Sequence, residues 1–158
     1  MFAGTISSAC HLVEVDFDRG VAVHPPIMAG WHLYGVAEHL RRIYDVPVLV
    51  DNDVNIMALG ERRRHLRDVD DLVLIKVATG IGAGIVSGGV LQRGAQGTAG
   101  DLGHVRVPGA DDILCRCGNT GCLEAVAAGP ALAAAERAQG ESADTGGDVV
   151  ELVRAGSQ

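Results

Sequence analysis

Between Gly100 and Glu124 the chain reads GDLGHVRVPGADDILCRCGNTGCLE. Three of the four cysteines fall here, at Cys115, Cys117 and Cys122, with His104 upstream and carboxylates at Asp101 and Glu124. Zinc takes thiolates and imidazole in a tetrahedron, and a closed set of four such ligands is usually structural. Gly118 and Gly121 permit the tight turns that Cys-x-Cys-x4-Cys spacing demands. The spacing therefore predicts a Cys3His zinc knuckle over residues 104–122, with Zn2+ in a structural role. The alternative is a set of buried free thiols. Single buried thiols are common, but they do not account for three within eight positions flanked by glycines. Cys10 has no near partner and is expected in the core.

A metal on one imidazole nitrogen aims the other and fixes its tautomer. His104 is then able to hydrogen-bond a ligand hydroxyl. Asp101 and Glu124 are tied to the knuckle and are able to accept hydrogen bonds from vicinal hydroxyls. For Glu124 an equal alternative is a first-turn helix charge answering the dipole.

Apolar residues make up 47% of the 158 positions but aromatics only 3%, so the core must be built from Val, Leu, Ile and Ala, with 22 glycines bending the chain. That mix suits an α/β fold with buried strands. A net charge of −7 opposes binding of this polypeptide to a phosphate backbone. The first residues, MFAGTISSACHL, lack a basic leader region, and His11 and Glu14 interrupt any apolar run. No stretch of about 20 apolar residues offers a membrane span. The expected compartment is a reducing cytoplasm, where clustered cysteines serve metals rather than disulfides.

In chain order, residues 12–16 predict a strand, Asp18-Arg19-Gly20 a turn, and Val21–Val23 a hairpin partner. Pro25-Pro26 force an extended loop. Leu33, Val36, Ala37, Leu40 and Ile43 recur at helical spacing over 30–44. Residues 47–51, PVLVD, predict a buried parallel strand. Residues 54–64 predict a helix with Ile56, Met57 and Leu59 near its buried side. Residues 72–78 predict a central strand, 81–87 a second and 90–92 a third. GAQGTAG at 94–100 predicts a loop, and 104–107 a short strand. Helices are expected at 122–128, 130–138 and 148–155, with a polar linker over 140–147. No internal repeat is visible.

Two further clusters carry chemistry. Asp51-Asn52-Asp53 sits at the end of a predicted strand and opens a helix, the usual ligand position in an open α/β sheet. Capping by Asp51 or Asn52 would explain one of these residues, not the whole cluster followed by Asn55. Asp53 is a candidate general base. Thr79-Gly-Ile-Gly-Ala-Gly84 offers backbone N–H groups and the Thr79 hydroxyl to an anion. A close-packed turn would read the same way. Arg62, Arg63 and Arg64 suit a solvated helix C-terminus rather than nucleic acid.

Taken together, DNDVN at 51–55, TGIGAG at 79–84, GDLGH at 100–104, CRCGNTGCLE at 115–124 and PPIMAGW at 25–31 resemble the ROK family of bacterial sugar kinases and sugar-responsive repressors. The similarity runs through most of residues 2–138. It implies a partial actin-like, ribonuclease H-like α/β fold, with residues 1–51 ending a small lobe and 52–158 beginning a large one. Asp53 matches the family's catalytic base and Asn52 a sugar-binding residue. Thr79, Gly80 and Gly82 match a phosphate-binding turn. His104 matches the residue shared between zinc and sugar, and Glu124 a sugar ligand. Asp101 stands where the kinases usually carry Glu.

The family's Asp-x-Gly-x-Thr phosphate turn is not found in the sequence, nor is a repressor helix-turn-helix. The expectation is therefore a central segment of a ROK protein. Its leading reading is the sugar-binding effector region of a transcriptional regulator, meeting DNA only through a separate N-terminal domain. The alternative is part of a glucokinase-like sugar kinase, in which case ATP and Mg2+ join the site. Phosphoryl transfer needs both lobes, so this chain alone is expected not to phosphorylate sugars. A homo-oligomer and no membrane partner complete the expectation.

Overall fold

The computed structural model describes residues 14–23 and 30–156. By internal contacts the described chain divides into two units. The first holds the described residues up to Leu74 together with Gly84–Gly100. The second holds Ile75–Ala83 and the described residues from Asp101 onward. Cys10 and Pro25-Pro26 lie outside the described residues.

The first unit opens with a hairpin, β1 (Glu14–Asp16) and β2 (Val21–Val23), paired antiparallel as Glu14↔Val23, Val15↔Ala22 and Asp16↔Val21. Gly20 turns it at φ 63°, a left-handed conformation that glycine enters without a Cβ penalty. The helix α1 spans only Val36–Tyr44, not 30–44. Gly30 and Leu33 adopt φ of 86° and 58°, so the chain turns before it coils. Asp45 ends the helix in the left-handed region at φ 43°.

Residues 47–51 form no strand, and Leu49 is 76% exposed. The apolar run has no ladder partner among the described residues. One of its carbonyls, Val48 O, accepts from Arg41 Nη2 at 2.7 Å instead. The helix α2 (Asp53–Arg64) follows directly. Its buried residues are Val54, Asn55 and Ala58, while Ile56 and Met57 are exposed. The reason is the neighbour it packs on. A side chain at Gly84 would meet Ala58 Cβ at 2.5 Å and Val54 O at 2.6 Å. The last glycine of TGIGAG therefore serves close helix–strand packing, which demands small residues on the helix face that meets it.

A three-stranded sheet has the order β3 (Leu72–Val77), β4 (Ile81–Ser87), β5 (Val90–Gln92). Only three residues join β3 to β4, too few for a parallel crossover. Gly88 and Gly89, both at positive φ, make the two-residue turn from β4 to β5, which fits the I′ hairpin geometry. Among the described residues β4 is the middle strand and β3 an edge, not the central strand expected. Leu72 and Leu74 pack with Ala58, Leu59, Val86 and Leu91, while Val73, Ile75 and Val77 on the alternate face are exposed. This is the period-two alternation of a half-covered strand.

In the second unit the span 104–107 is not a strand. One turn of 3-10 helix occupies Leu102–His104, and Arg106 forms an isolated antiparallel bridge to Cys122. The helices α3 (Leu123–Ala127), α4 (Gly129–Ala138) and α5 (Gly146–Ala155) follow. α5 starts with a capping box between Thr145 and Asp148. No described helix is long and apolar enough to cross a membrane.

Candidate functional site

The second unit gathers His104, Cys115, Cys117 and Cys122, with their ligand atoms all within 4.8 Å of one another. Local structure explains why. The bridge between Arg106 and Cys122, with Val107 N donating to Gly121 O at 2.8 Å, brings the two ends of the loop together. Gly118 and Gly121, at φ 91° and 78°, reverse the chain between the cysteines. Cys115 and Cys122 are buried, and Cys117 and His104 partly so.

The spacing of these atoms fits a tetrahedral metal site. Metal–sulfur bonds of about 2.3 Å make sulfur–sulfur edges of about 3.8 Å, and Cys117 Sγ lies 3.7 Å from Cys122 Sγ. That separation is far beyond a disulfide bond of about 2.05 Å. Cys115 Sγ lies 3.9 Å from His104 Nδ1, near the edge of about 3.6 Å that the same bond lengths imply for nitrogen and sulfur. With Nδ1 turned to the thiols, Nε2 is the nitrogen left for other partners.

Burial, followed by the neighbouring Cys117 and Cys115 sulfurs, pushes the Cys122 thiol up to about 12. Burial also acts to raise Cys117. Hydrogen bonding from the Asn119 backbone, the Cys115 and Cys122 sulfurs and the Asn119 side chain outweighs it, and that thiol is lowered. A cation in their midst would remove the repulsion between thiolates.

Glu124 stands in the first turn of α3 and is already engaged. Its Oε2 accepts from Ile81 N at 3.1 Å, and its Oε1 pairs with Arg116 Nη2 at 3.1 Å. The same Arg116 nitrogen donates to Thr79 O at 2.5 Å. The Thr79–Gly82 turn is therefore clasped by Arg116 and Glu124, beside the cysteine cluster. One of the N–H groups that the sequence offered to an anion holds a carboxylate of the protein itself. Thr79, Leu114, Cys115, Arg116, Glu124 and Ala131 line a cavity of about 260 Å³. This is just under the roughly 300–1,000 Å³ typical of small-molecule sites. Asp101 precedes the 3-10 turn, and its carbonyl accepts from His104 N at 3.1 Å.

Asn52 and Asp53 belong to the first unit. Asn52 is the N-cap of α2, its side chain accepting from Val54 N at 2.9 Å, and Asp53 is the first helical residue. Asp51 accepts from Asn52 N at 2.9 Å, from Asn55 Nδ2 at 2.8 Å and from Arg93. Capping and local bracing thus account for more of the DNDVN cluster than one residue. Arg93 and Arg116 were not singled out from sequence. Arg93 reaches Asp51 42 positions away and Arg116 reaches Thr79 37 positions away, and no spacing rule connects these pairs.

The ROK family model matches residues 5–158. The chain belongs to the ROK family. It is 38% identical to a glucokinase of Halalkalibacterium halodurans over 120 residues, which cover 75% of this chain and 36% of that one. It is also 38% identical to an N-acetylmannosamine kinase of Escherichia coli O157:H7, over 86% of this chain and 45% of that one. Among solved structures, a ROK glucokinase from Streptomyces griseus, in complex with glucose and AMPPNP, superposes with a TM-score of 0.78 at 33% identity. That match covers 92% of this chain and 52% of the glucokinase. A ROK transcriptional regulator, homologous to the E. coli MLC protein, superposes at 0.68 with 34% identity, covering 82% and 33%. The chain thus spans less than half the length of the curated relatives it matches. Both sugar kinases and a transcriptional regulator stand among its neighbours.

Proposed function

We propose that this chain is the sugar-recognition region of a ROK-family transcriptional regulator, with Zn2+ held by His104, Cys115, Cys117 and Cys122. The zinc is structural: it orders the loop and fixes the imidazole of His104. By the family resemblance, Asn52, Asp53, Asp101, His104 and Glu124 are the proposed sugar contacts. The observation that carries the regulator reading is Asp101. It stands where the family's kinases usually carry Glu, and one methylene fewer draws the carboxylate back from any hydroxyl that a Glu would reach. The wording of the knuckle, CRCGNTGCLEA, favours the same branch. In the same proposal residues 1–51 end a small lobe and 52–158 begin a large lobe of an actin-like fold. The chain is cytoplasmic and self-associates, and DNA is met through a separate N-terminal domain.

The kinase reading has its own support, because the curated relatives named above are a glucokinase and an N-acetylmannosamine kinase. Under it, Asp53 is the general base, and Thr79, Gly80 and Gly82 receive a phosphate of ATP with Mg2+. A coupled assay on the full-length protein, which carries both lobes that phosphoryl transfer needs, separates the two. The regulator reading expects D-glucose or N-acetyl-D-mannosamine to raise the melting temperature of the chain, with no hexose-dependent consumption of ATP. ATP turnover that requires hexose and disappears in Asp53→Asn would establish the kinase reading instead.

A further inference from the structure

The carboxylate of Asp51 is 8% exposed, and the motifs assign it no role. A buried carboxylate is costly unless it is paired and all its lone pairs are used. Here they are used fully. Oδ2 receives a fork from Arg93, Nε at 2.9 Å and Nη2 at 2.6 Å. Oδ1 receives Asn52 N at 2.9 Å and Asn55 Nδ2 at 2.8 Å. Arg93 is itself held from the other side, its Cζ lying 3.8 Å from the centroid of the Phe17 ring in the β1–β2 turn. A guanidinium that is forked onto a carboxylate and stacked on a ring has little freedom to rotate.

We propose that Arg93 is a positioning residue for Asn52 and Asp53, acting through Asp51. The chain of contacts is short. Phe17 orients the guanidinium, the guanidinium orients Asp51, and Asp51 Oδ1 holds the amide of Asn52. Asn52 then caps α2 through Val54 N, and Asp53 occupies the first position of that helix. The corner between residue 50 and α2 has no β-ladder to hold it, since residues 47–51 form no strand. The Arg93 fork replaces the missing ladder. Lysine at this position would keep the charge but lose the planar fork and the stacking. The proposal rests on the reading that Asn52 and Asp53 contact a sugar.

The test uses the 158-residue chain with D-glucose and N-acetyl-D-mannosamine as probes. Arg93→Lys is compared with Arg62→Ala, which removes a similar side-chain brace, to Val69 O and Asp70, within the same unit. Calorimetric titration gives affinity, and thermal melting gives stability. Amide hydrogen exchange at Asn52 and Asp53 reports the corner without any sugar. Arg93→Lys should weaken hexose binding by about 10-fold and speed exchange at those two amides by about 10-fold. Arg62→Ala should lower the melting temperature and leave both unchanged. Arg93→Ala strands a buried carboxylate and is expected to fold poorly, so the double variant Asp51→Asn, Arg93→Gln serves as the second probe, with the same loss expected. Hexose binding in the wild type that persists undiminished in Arg93→Lys overturns the positioning role alone. Equal loss of affinity in Arg62→Ala at equal stability also overturns it, since a merely structural role predicts that. A wild type that binds neither hexose overturns the sugar reading and the proposal with it, and amide exchange at the corner tells that outcome apart.

Discussion

Gly103 is the position where a single methyl group should do most damage to the proposed zinc knuckle. It is buried, and an added Cβ would fall inside the van der Waals envelope of Ile81 O, 3.2 Å from the Ile81 carbonyl carbon and 3.4 Å from Glu124 Cβ. The first two atoms are backbone at the start of β4, and they have no rotamer to give. The Ile81 peptide is also gripped from its other end, where its N–H donates to Glu124. Relief in Gly103→Ala must therefore come from displacement of the 3-10 turn. Overpacking of this kind costs about 1–3 kcal/mol. A chain of this size loses roughly 2–4 °C of melting temperature per kcal/mol, so a fall of about 4–8 °C is expected for a cost near 2 kcal/mol. His104 is the next residue, and its Nδ1 is already 3.9 Å from Cys115 Sγ. Any outward shift lengthens an edge of the proposed metal site, so zinc affinity should fall together with stability. Thermal melts with and without a chelator, and zinc retention against a colorimetric competitor, measure both. A Gly103→Ala variant that melts within about 1 °C of wild type and keeps its zinc would refute the steric argument.

Other expectations follow from the same geometry. Gly60 lies inside α2 with nothing within 4 Å of an added Cβ, so Gly60→Ala should stabilise the chain by about 0.5–1 kcal/mol in urea unfolding. Protein prepared without chelator should carry close to one equivalent of zinc, and Cys117→Ser or chelation should lower its melting temperature. Metal content below about half an equivalent would dismiss the structural zinc site. Asp148 is held below the usual carboxylate range, by hydrogen bonds from the Thr145 backbone first, then from the Asp144 backbone and the Thr145 hydroxyl. A depressed folded value means that this stabilisation is complete above the unfolded value near pH 4 and is lost as pH falls through the lower folded value. Amide exchange at the start of α5 should therefore accelerate in that acidic window, and Asp148→Asn should abolish the acceleration.

The cysteine spacing was readable in one dimension because three cysteines and a histidine gathered within nineteen residues are a local object. So were the helices 53–64, 129–138 and 146–155, where capping, periodicity and glycine punctuation agree within a few positions. The apolar run 47–51 was not readable, because strand character depends on a partner that sequence does not supply. The same holds for the faces of α2 and β3. Which apolar side chains are buried depends on Gly84 meeting Ala58, and on which face of β3 meets the Ala58–Val86–Leu91 cluster.

Glu124 shows the division most clearly. Its place two residues after the last cysteine left a helix charge and a ligand contact as equal alternatives. The fold shows a third role, an acceptor for Ile81 N and an ion-pair partner of Arg116. By itself, then, the sequence determined the family, the helices and the four clustered metal-type ligands, all of which depend on neighbours close along the chain. Only the tertiary structure decided that Arg93 braces Asp51 and that Arg116 and Glu124 clasp the Thr79–Gly82 turn. Hydrogen bonds between residues about 40 positions apart leave no periodicity for a sequence to display.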